Sequence, residues 1–273
     1  MAGLSKSRIL AHRQCPKRLW LQTYRPELVE TDPNAAARFA QGAQVGEVAR
    51  QLYPDGVLIA GDDLRQALRD TAEVLARSPQ CPVFEATFEH EGVLVRVDLL
   101  LPDGEAYRLV EVKSSTAVKG YHLSDATVQS WVTANAGVPI SRTEIAHIDT
   151  SFAYSGHGDY RGLFTHADIS EVSALSPEIP AWAEGARATL SGEEPRIAPG
   201  AQCHAPFECP WRNGAQLFVE HCLLIVSEMR WRCCASPIIF RGVLGGLKTT
   251  TTREHPNNTF LHLQTLITIR RTR

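Results

Sequence analysis

Three short runs of β-branched and apolar residues in the middle of the chain constrain its folding more than any other feature. Val83 to Glu89, Val93 to Leu101 and Tyr107 to Ser114 have strand composition, and the segments between them, His90-Glu91-Gly92 and Pro102-Asp103-Gly104, are turn sequences. Connections this short join antiparallel neighbours, so a three-stranded meander is predicted. Along each strand side chains alternate between faces. Val93, Val95, Val97 and Leu99 then share one face, with Leu94, Arg96 and Asp98 on the other. In the third strand Val110 and Val112 point one way, Glu111 and Lys113 the other.

Adjacent antiparallel strands can therefore bring Asp98, Glu111 and Lys113 onto one surface. Two neighbouring carboxylates form a hard-oxygen site suited to Mg²⁺ or Mn²⁺. An ion held there polarises a phosphodiester oxygen and lowers the pKa of a bound water. A lysine beside it orients that water or stabilises charge developing on the phosphate. The triplet Glu-Val-Lys alone equally suits the solvated face of an amphipathic strand. Asp98 fits that reading less well, because an unpaired carboxylate deep in a Val/Leu run is costly.

Helical patterns flank the meander. Ser5 is predicted to cap a helix running to about Leu21, interrupted at Pro16. Further helices are predicted over 33–53, 64–76, 123–136 and 181–190, with a strand over 143–149. Asp168 and Glu171 make a capping-box pattern. Gly42 and Gly46, four apart on one helix face, allow close backbone approach. The fold expected for residues 1–212 is α/β, a mixed sheet flanked by helices. From 213 to 273 the texture changes: no aspartate follows Asp168, only Glu220, Glu228 and Glu254 are acidic, and no period is sustained. This stretch is expected to be a poorly ordered tail unrelated to the core, such as an out-of-frame translation would give.

The net charge of −2 provides no global basic field, which argues against a nucleic-acid coating protein but leaves room for one basic groove. The first residues show no secretory signal, and the most apolar run, Leu217 to Val226, is broken by Glu220 and His221, so a cytoplasmic protein without membrane spans is expected. No Gly-Lys-Ser/Thr phosphate loop is present, so no ATPase motor is expected. Seven cysteines, an odd number, fit a metal or redox centre in a reducing compartment better than a disulfide framework.

The segments Arg96-Val97-Asp98-Leu99-Leu100 and Leu109-Val110-Glu111-Val112-Lys113-Ser114-Ser115 resemble the core of the RecB-like PD-(D/E)XK nucleases. The resemblance implies that fold and a Mg²⁺- or Mn²⁺-dependent hydrolase of DNA phosphodiester bonds, acting on single strands or free ends as an exonuclease. It implies Asp98 and Glu111 as metal ligands and Lys113 as the residue assisting the water. Gln129 falls where the family carries a glutamine near the site. An upstream helical histidine or acid often completes the metal site; no histidine stands there, and Glu47 is the candidate substitute. Glu47 and Gln129 also fit ordinary helix positions.

Cys15, in Cys15-Pro16-Lys17-Arg18-Leu19-Trp20, and the pair Cys203 and Cys209 resemble the iron–sulfur subgroup of those nucleases, which includes the CRISPR-associated exonucleases and an uncharacterised bacterial family. One cysteine before the core and three after it hold a [4Fe–4S] cluster there, making a split cysteine module. The fourth is expected within a few residues of Cys209, but Trp211 to Ala215 supplies none; Cys222 is the nearest candidate, ahead of Cys233 and Cys234. Zinc is the alternative metal, with His204 as a possible ligand; free loop thiols are the plain reading. Cys81 is expected as a buried small hydrophobe.

Arg8, Arg13, Lys17 and Arg18 could follow a phosphate backbone, with Trp20 or Tyr24 stacking on a base, although such charges also simply solvate helices and Trp20 suits the core. His147, Asp149, His157 and Asp159 are scattered over a strand and a loop and read as structural. A catalytically inactive nucleic-acid-binding protein and an iron–sulfur sensor are the competing readings. A helicase or CRISPR-type partner is left open by the resemblance.

Overall fold

The computed structural model describes residues 3–30 and 32–211; everything from 212 onward, with the predicted tail and Cys222, Cys233 and Cys234, lies outside the described residues. The first strand, β1, is Leu4–Ser5 and leads into helix α1, Lys6–Gln14. The Ser5 hydroxyl caps α1 by accepting the Arg8 N–H at 3.4 Å. Cys15 then adopts an extended backbone, and Pro16 opens α2, Pro16–Tyr24. Proline is favourable at a first helical position and not inside a helix, so the interruption expected at Pro16 divides the segment into two helices.

Helix α3 (Ala35–Gln51), strand β2 (Val57–Leu58) and helix α4 (Leu64–Arg77) precede the meander β3 (Val83–His90), β4 (Val93–Asp103) and β5 (Ala106–Lys113). Helix α5 (Gly120–Asn135) crosses over to β6 (Ile140–Ile148), which lies parallel to β5. Strand β7 (Phe164–Asp168), a 3-10 turn over Ser170–Glu178 and helix α6 (Ile179–Ser191) follow. The strands form one mixed sheet of order β2-β3-β4-β5-β6-β7, with β1 added parallel to β4.

Two apolar clusters lie on opposite sides of this sheet, because neighbours along one strand, such as Leu109 and Val110, join different ones. The larger packs Val93, Val95, Val97 and Leu109 against Ile9 of α1, Leu19 of α2, Val128 and Val132 of α5 and Ile179 of α6. The smaller joins Phe84, Leu99, Leu101 and Val110 to Ala49 of α3. Leu99 is thus not on the face of the three valines, as strict alternation had it. The reversal occurs where Glu85 and Asp98 stand opposite each other: the ladder pairs Phe84 with Leu99 and Ala86 with Val97 and steps over the residues between. Glu85 has φ +56°, left-handed backbone that is strained for a residue with a side chain, and the face switches there.

Helix α3 contributes less to packing than its apolar residues suggested. Only Ala49 is buried, and Phe39 is 78% exposed. Gly42 has nothing within 4 Å of a built Cβ and Gly46 meets only the Arg50 side chain, so neither serves a close backbone approach. Among the described residues no helix is long and apolar enough to cross a membrane.

Candidate active site

The site forms where β4 and β5 part. Their ladder runs from Asp103 opposite Ala106 to Leu99 opposite Val110 and ends there. The next residue back along β4 is Asp98, whose carboxylate accepts the Val112 N–H at 2.7 Å and so replaces a strand carbonyl. Farther along the same edge β1 takes over, with Leu4 opposite Val93 and Ser5 opposite Leu94. Lys6 follows directly, and this delivers its ammonium into the fork between the strands.

Glu111, on β5, is 3% exposed, and both its oxygens are engaged. Oε1 accepts from Lys113 at 2.5 Å and from Lys6 at 3.2 Å; Oε2 accepts from the Gln129 amide. Asp125 of α5 completes the cluster, accepting from Lys113 at 2.5 Å and from Lys6 at 3.0 Å. Asp125 and Gln129 are four apart on one helix face, which is why both reach the same strand. Gln129 is fully buried and its Oε1 has no hydrogen-bond partner. An orphaned buried acceptor beside a carboxylate is a place for a water or a ligand.

The charges are unevenly held. Burial pushes the Asp98 carboxyl up and the Glu111 charge pushes it further, against Lys6 and the Val112 N–H. Glu111 moves the other way: burial opposes its ionisation, but Lys6 and Lys113 outweigh it and hold the group well below the usual carboxylate range. Two acids with separated proton affinities in one pocket are a mark of functional sites, although structural networks produce it too. His122, 3% exposed on α5, accepts the Lys119 N–H at 3.1 Å; burial and the nearby Lys113 and Lys119 lower its pKa to about 4.

Asp98, Glu111, Lys113 and Gln129 are therefore brought together. Glu47 is not joined to them: it is exposed and paired with Arg50 one turn along α3, and Arg50 reaches Glu85 at 3.7 Å. Lys17, expected among the nucleic-acid contacts, is turned inward. It is 7% exposed and its ammonium meets Glu194 at 3.0 Å. Arg13 and Arg18 instead line a groove of about 660 Å³ whose walls include Lys6, Asp125, Tyr121 and Phe207. Arg13 lies 3.6 Å over the Trp182 ring and donates to Ser124; Arg18 lies 5.9 Å from the Phe207 ring centre. Lys6 and Asp125 were missed in the sequence. The spacing of Asp125 from Gln129 was a usable signal; nothing local marks Lys6.

A second constellation lies at the chain's other junction. The Gln14 amide donates to the carbonyls of Gln202 at 2.8 Å and Phe207 at 2.7 Å, and Trp211 donates to the Arg25 carbonyl at 3.2 Å. These bonds tie the segment after α6 to α1 and α2. Cys15, Cys203 and Cys209 are free thiols here, the first two buried. Burial raises the Cys209 pKa, and Cys203 and Cys15 add to it while Arg18 opposes. Cys81 is half-buried rather than buried, with its sulfur 3.0 Å from the Asp55 carbonyl. His204 turns to Glu208 at 3.1 Å. Asp149 binds the Ser151 N–H and hydroxyl, and Asp159 pairs with Arg161, as structural loop residues do. Among the described residues no group of three or more His, Cys, Asp or Glu side chains is gathered closely enough to hold a metal ion by itself.

No protein-family model matches the chain, and no curated protein matches its sequence. Among solved structures it is similar to LHK-Exo in complex with dAMP, at 12% identity and a TM-score of 0.38 over 83% of this chain and 94% of that one. It is also similar to SSO0001, at 14% identity and a TM-score of 0.32 over 67% and 74%.

Proposed function

We propose that the chain is a metal-dependent nuclease of the PD-(D/E)XK type that hydrolyses DNA phosphodiester bonds, single strands or free ends being the substrate its sequence resemblance implies. One observation carries this: Asp98, Glu111, Lys113 and Gln129 meet at the parting of β4 and β5, with Lys113 donating to Glu111 at 2.5 Å. The donor chemistry fits a hard divalent cation. Asp98 and Glu111 offer carboxylate oxygens, and mutual repulsion between them is relieved by an ion. Two protein carboxylates suffice for Mg²⁺ or Mn²⁺, which commonly complete their coordination with water and phosphate oxygens. Such an ion supplies charge to the phosphoryl oxygen and acidity to a bound water.

The chain's own residues do the rest. Gln129 fixes Glu111 from beneath, and Asp125 shares the Lys113 ammonium so that it lies between two carboxylates. A cation so placed is preorganised to hold the attacking water or the non-bridging oxygens where negative charge grows. Hydrolysis then adds water across the P–O bond, leaving a phosphate on one fragment and a hydroxyl on the other. The test is cleavage of labelled single- and double-stranded DNA with Mn²⁺, comparing wild type with Glu111→Gln. Loss of at least a hundredfold in rate supports the reading; equal rates, or no cleavage by wild type, refute it.

The lysine-neutralised cluster also suits a second reading, an inactive nuclease fold that binds nucleic acid, since Lys6 and Lys113 already compensate Glu111 and Asp125. Retained DNA binding without any Mn²⁺-supported cleavage selects it. For the cysteines we propose a [4Fe–4S] cluster on Cys15, Cys203 and Cys209, with Cys222 as fourth ligand and zinc as the alternative. The bonds of Gln14 and Trp211 across the two chain segments support a shared centre. Iron, sulfide and zinc analysis of anaerobically purified protein decides between them, and absence of all three from wild type removes the centre.

A further inference from the structure

Lys6 stands in the site without a place in the reaction as just described. Its ammonium reaches Glu111 Oε1 at 3.2 Å and Asp125 Oδ1 at 3.0 Å. Lys113 uses the same Glu111 oxygen and the other Asp125 oxygen, each at 2.5 Å. Both oxygens of Glu111 are therefore occupied, and two of its partners are cations.

The partners are not equally committed. Gln129 is fully buried, and Lys113 sits two residues along the same strand with the shorter contacts. Lys6 makes the longer ones, belongs to a different element and lines the 660 Å³ groove that leads to the cluster. Its side chain is 22% exposed, close to the 20% of Lys113, so contact length and position in the chain, not burial, set the two lysines apart. When a cation on Glu111 makes the ammonium redundant, Lys6 can withdraw from Glu111, keep Asp125, and turn its charge into a groove already bearing Arg13 and Arg18.

We propose that Lys6 is a tethered counter-cation, which neutralises Glu111 in the metal-free protein and competes with the divalent ion for that carboxylate. The inference rests on the reading of Glu111 as a metal ligand. Its role is to keep the buried acids compensated without an ion and to supply a positive charge to the substrate's phosphate once the ion is in place. Removing the charge removes the competitor, so the ion binds more tightly.

The experiment is calorimetric titration of the full chain with MnCl₂, without DNA, for wild type, Lys6→Met, Lys6→Arg and Glu111→Gln. Lys6→Met is expected to bind Mn²⁺ about tenfold more tightly, the effect of one like charge removed from the site. Lys6→Arg, which keeps the charge, is expected to stay within about threefold of wild type. A purely structural Lys6 predicts the opposite, because loosening the cluster weakens binding. Equal or weaker Mn²⁺ binding by Lys6→Met overturns the proposal while leaving the metal site standing, provided Glu111→Gln abolishes binding. Undiminished binding by Glu111→Gln, or none by wild type, removes the metal reading and the proposal together. Lys6→Gln gives the same expected direction and serves where Lys6→Met does not fold.

Discussion

Asp125→Asn probes the charge cluster without invoking catalysis. Asp125 is 9% exposed and accepts from two ammonium groups, Lys6 at 3.0 Å and Lys113 at 2.5 Å. A hydrogen bond to a charged group contributes about 1.5–3 kcal/mol, and removing one partner of a buried pair costs about 3–5 kcal/mol. Glu111 remains as a partner for both lysines, and burial and the Glu111 charge already push the Asp125 carboxyl up, so the hydrogen-bond figure applies rather than that of a broken pair, about 2 kcal/mol. For a domain of this size that is a fall in Tm of roughly 4–8 °C. Urea unfolding of wild type, Asp125→Asn, Lys6→Met and the double variant closes a cycle. The double variant is expected to lose less than the sum of the singles, with a coupling of about 1.5–2 kcal/mol. Losses that add within about 0.5 kcal/mol mean that the two side chains do not interact and refute the charge cluster.

Gln129→Leu removes the donor to Glu111 together with an unpaired buried oxygen; stability is expected to change by about 1 kcal/mol or less while cleavage slows about tenfold or more, read from urea curves and gel assays. Arg18→Ala is expected to lower the salt-dependence slope of single-stranded DNA binding by about 0.7, and Lys17→Met, whose ammonium is held by Glu194, to leave it unchanged; the reverse pattern refutes the groove. His122 has a folded pKa of about 4, below its unfolded value, so the unfolded chain binds the extra proton between those values. Its contribution is complete above about pH 6.5 and is lost as pH falls toward 4, by up to about 3 kcal/mol. His122→Asn is expected to flatten that part of the stability profile relative to wild type.

The meander, its turns, the flanking helices and the interruption near Pro16 are legible because each follows from short-range chemistry: turn residues, β-branched runs and a proline in a helix pattern. Asp98, Glu111 and Lys113 are legible for the same reason, since adjacent strands bring their side chains together. Lys6 is not, because it arrives through β1, a strand of two residues whose pairing with β4 depends on where β5 parts from β4. The reversal of faces at Asp98 is equally hidden, resting on a left-handed Glu85 where a glycine would have given warning. Lys17 misleads in the opposite way: within a basic cluster it reads as a surface charge, yet tertiary folding places Glu194, far along the chain, directly against it. Phe39 likewise belongs to an apolar pattern whose helix buries only Ala49.

If the proposed function holds, one divalent ion sits between the carboxylates of β4 and β5. Anomalous X-ray scattering from crystals of the full chain soaked in Mn²⁺ addresses it directly. A manganese peak bonded to both Asp98 and Glu111 is expected in wild type, and its loss in Glu111→Gln. A peak bound elsewhere, or a fork that stays closed by Lys6 at saturating Mn²⁺ with no peak at all, contradicts it.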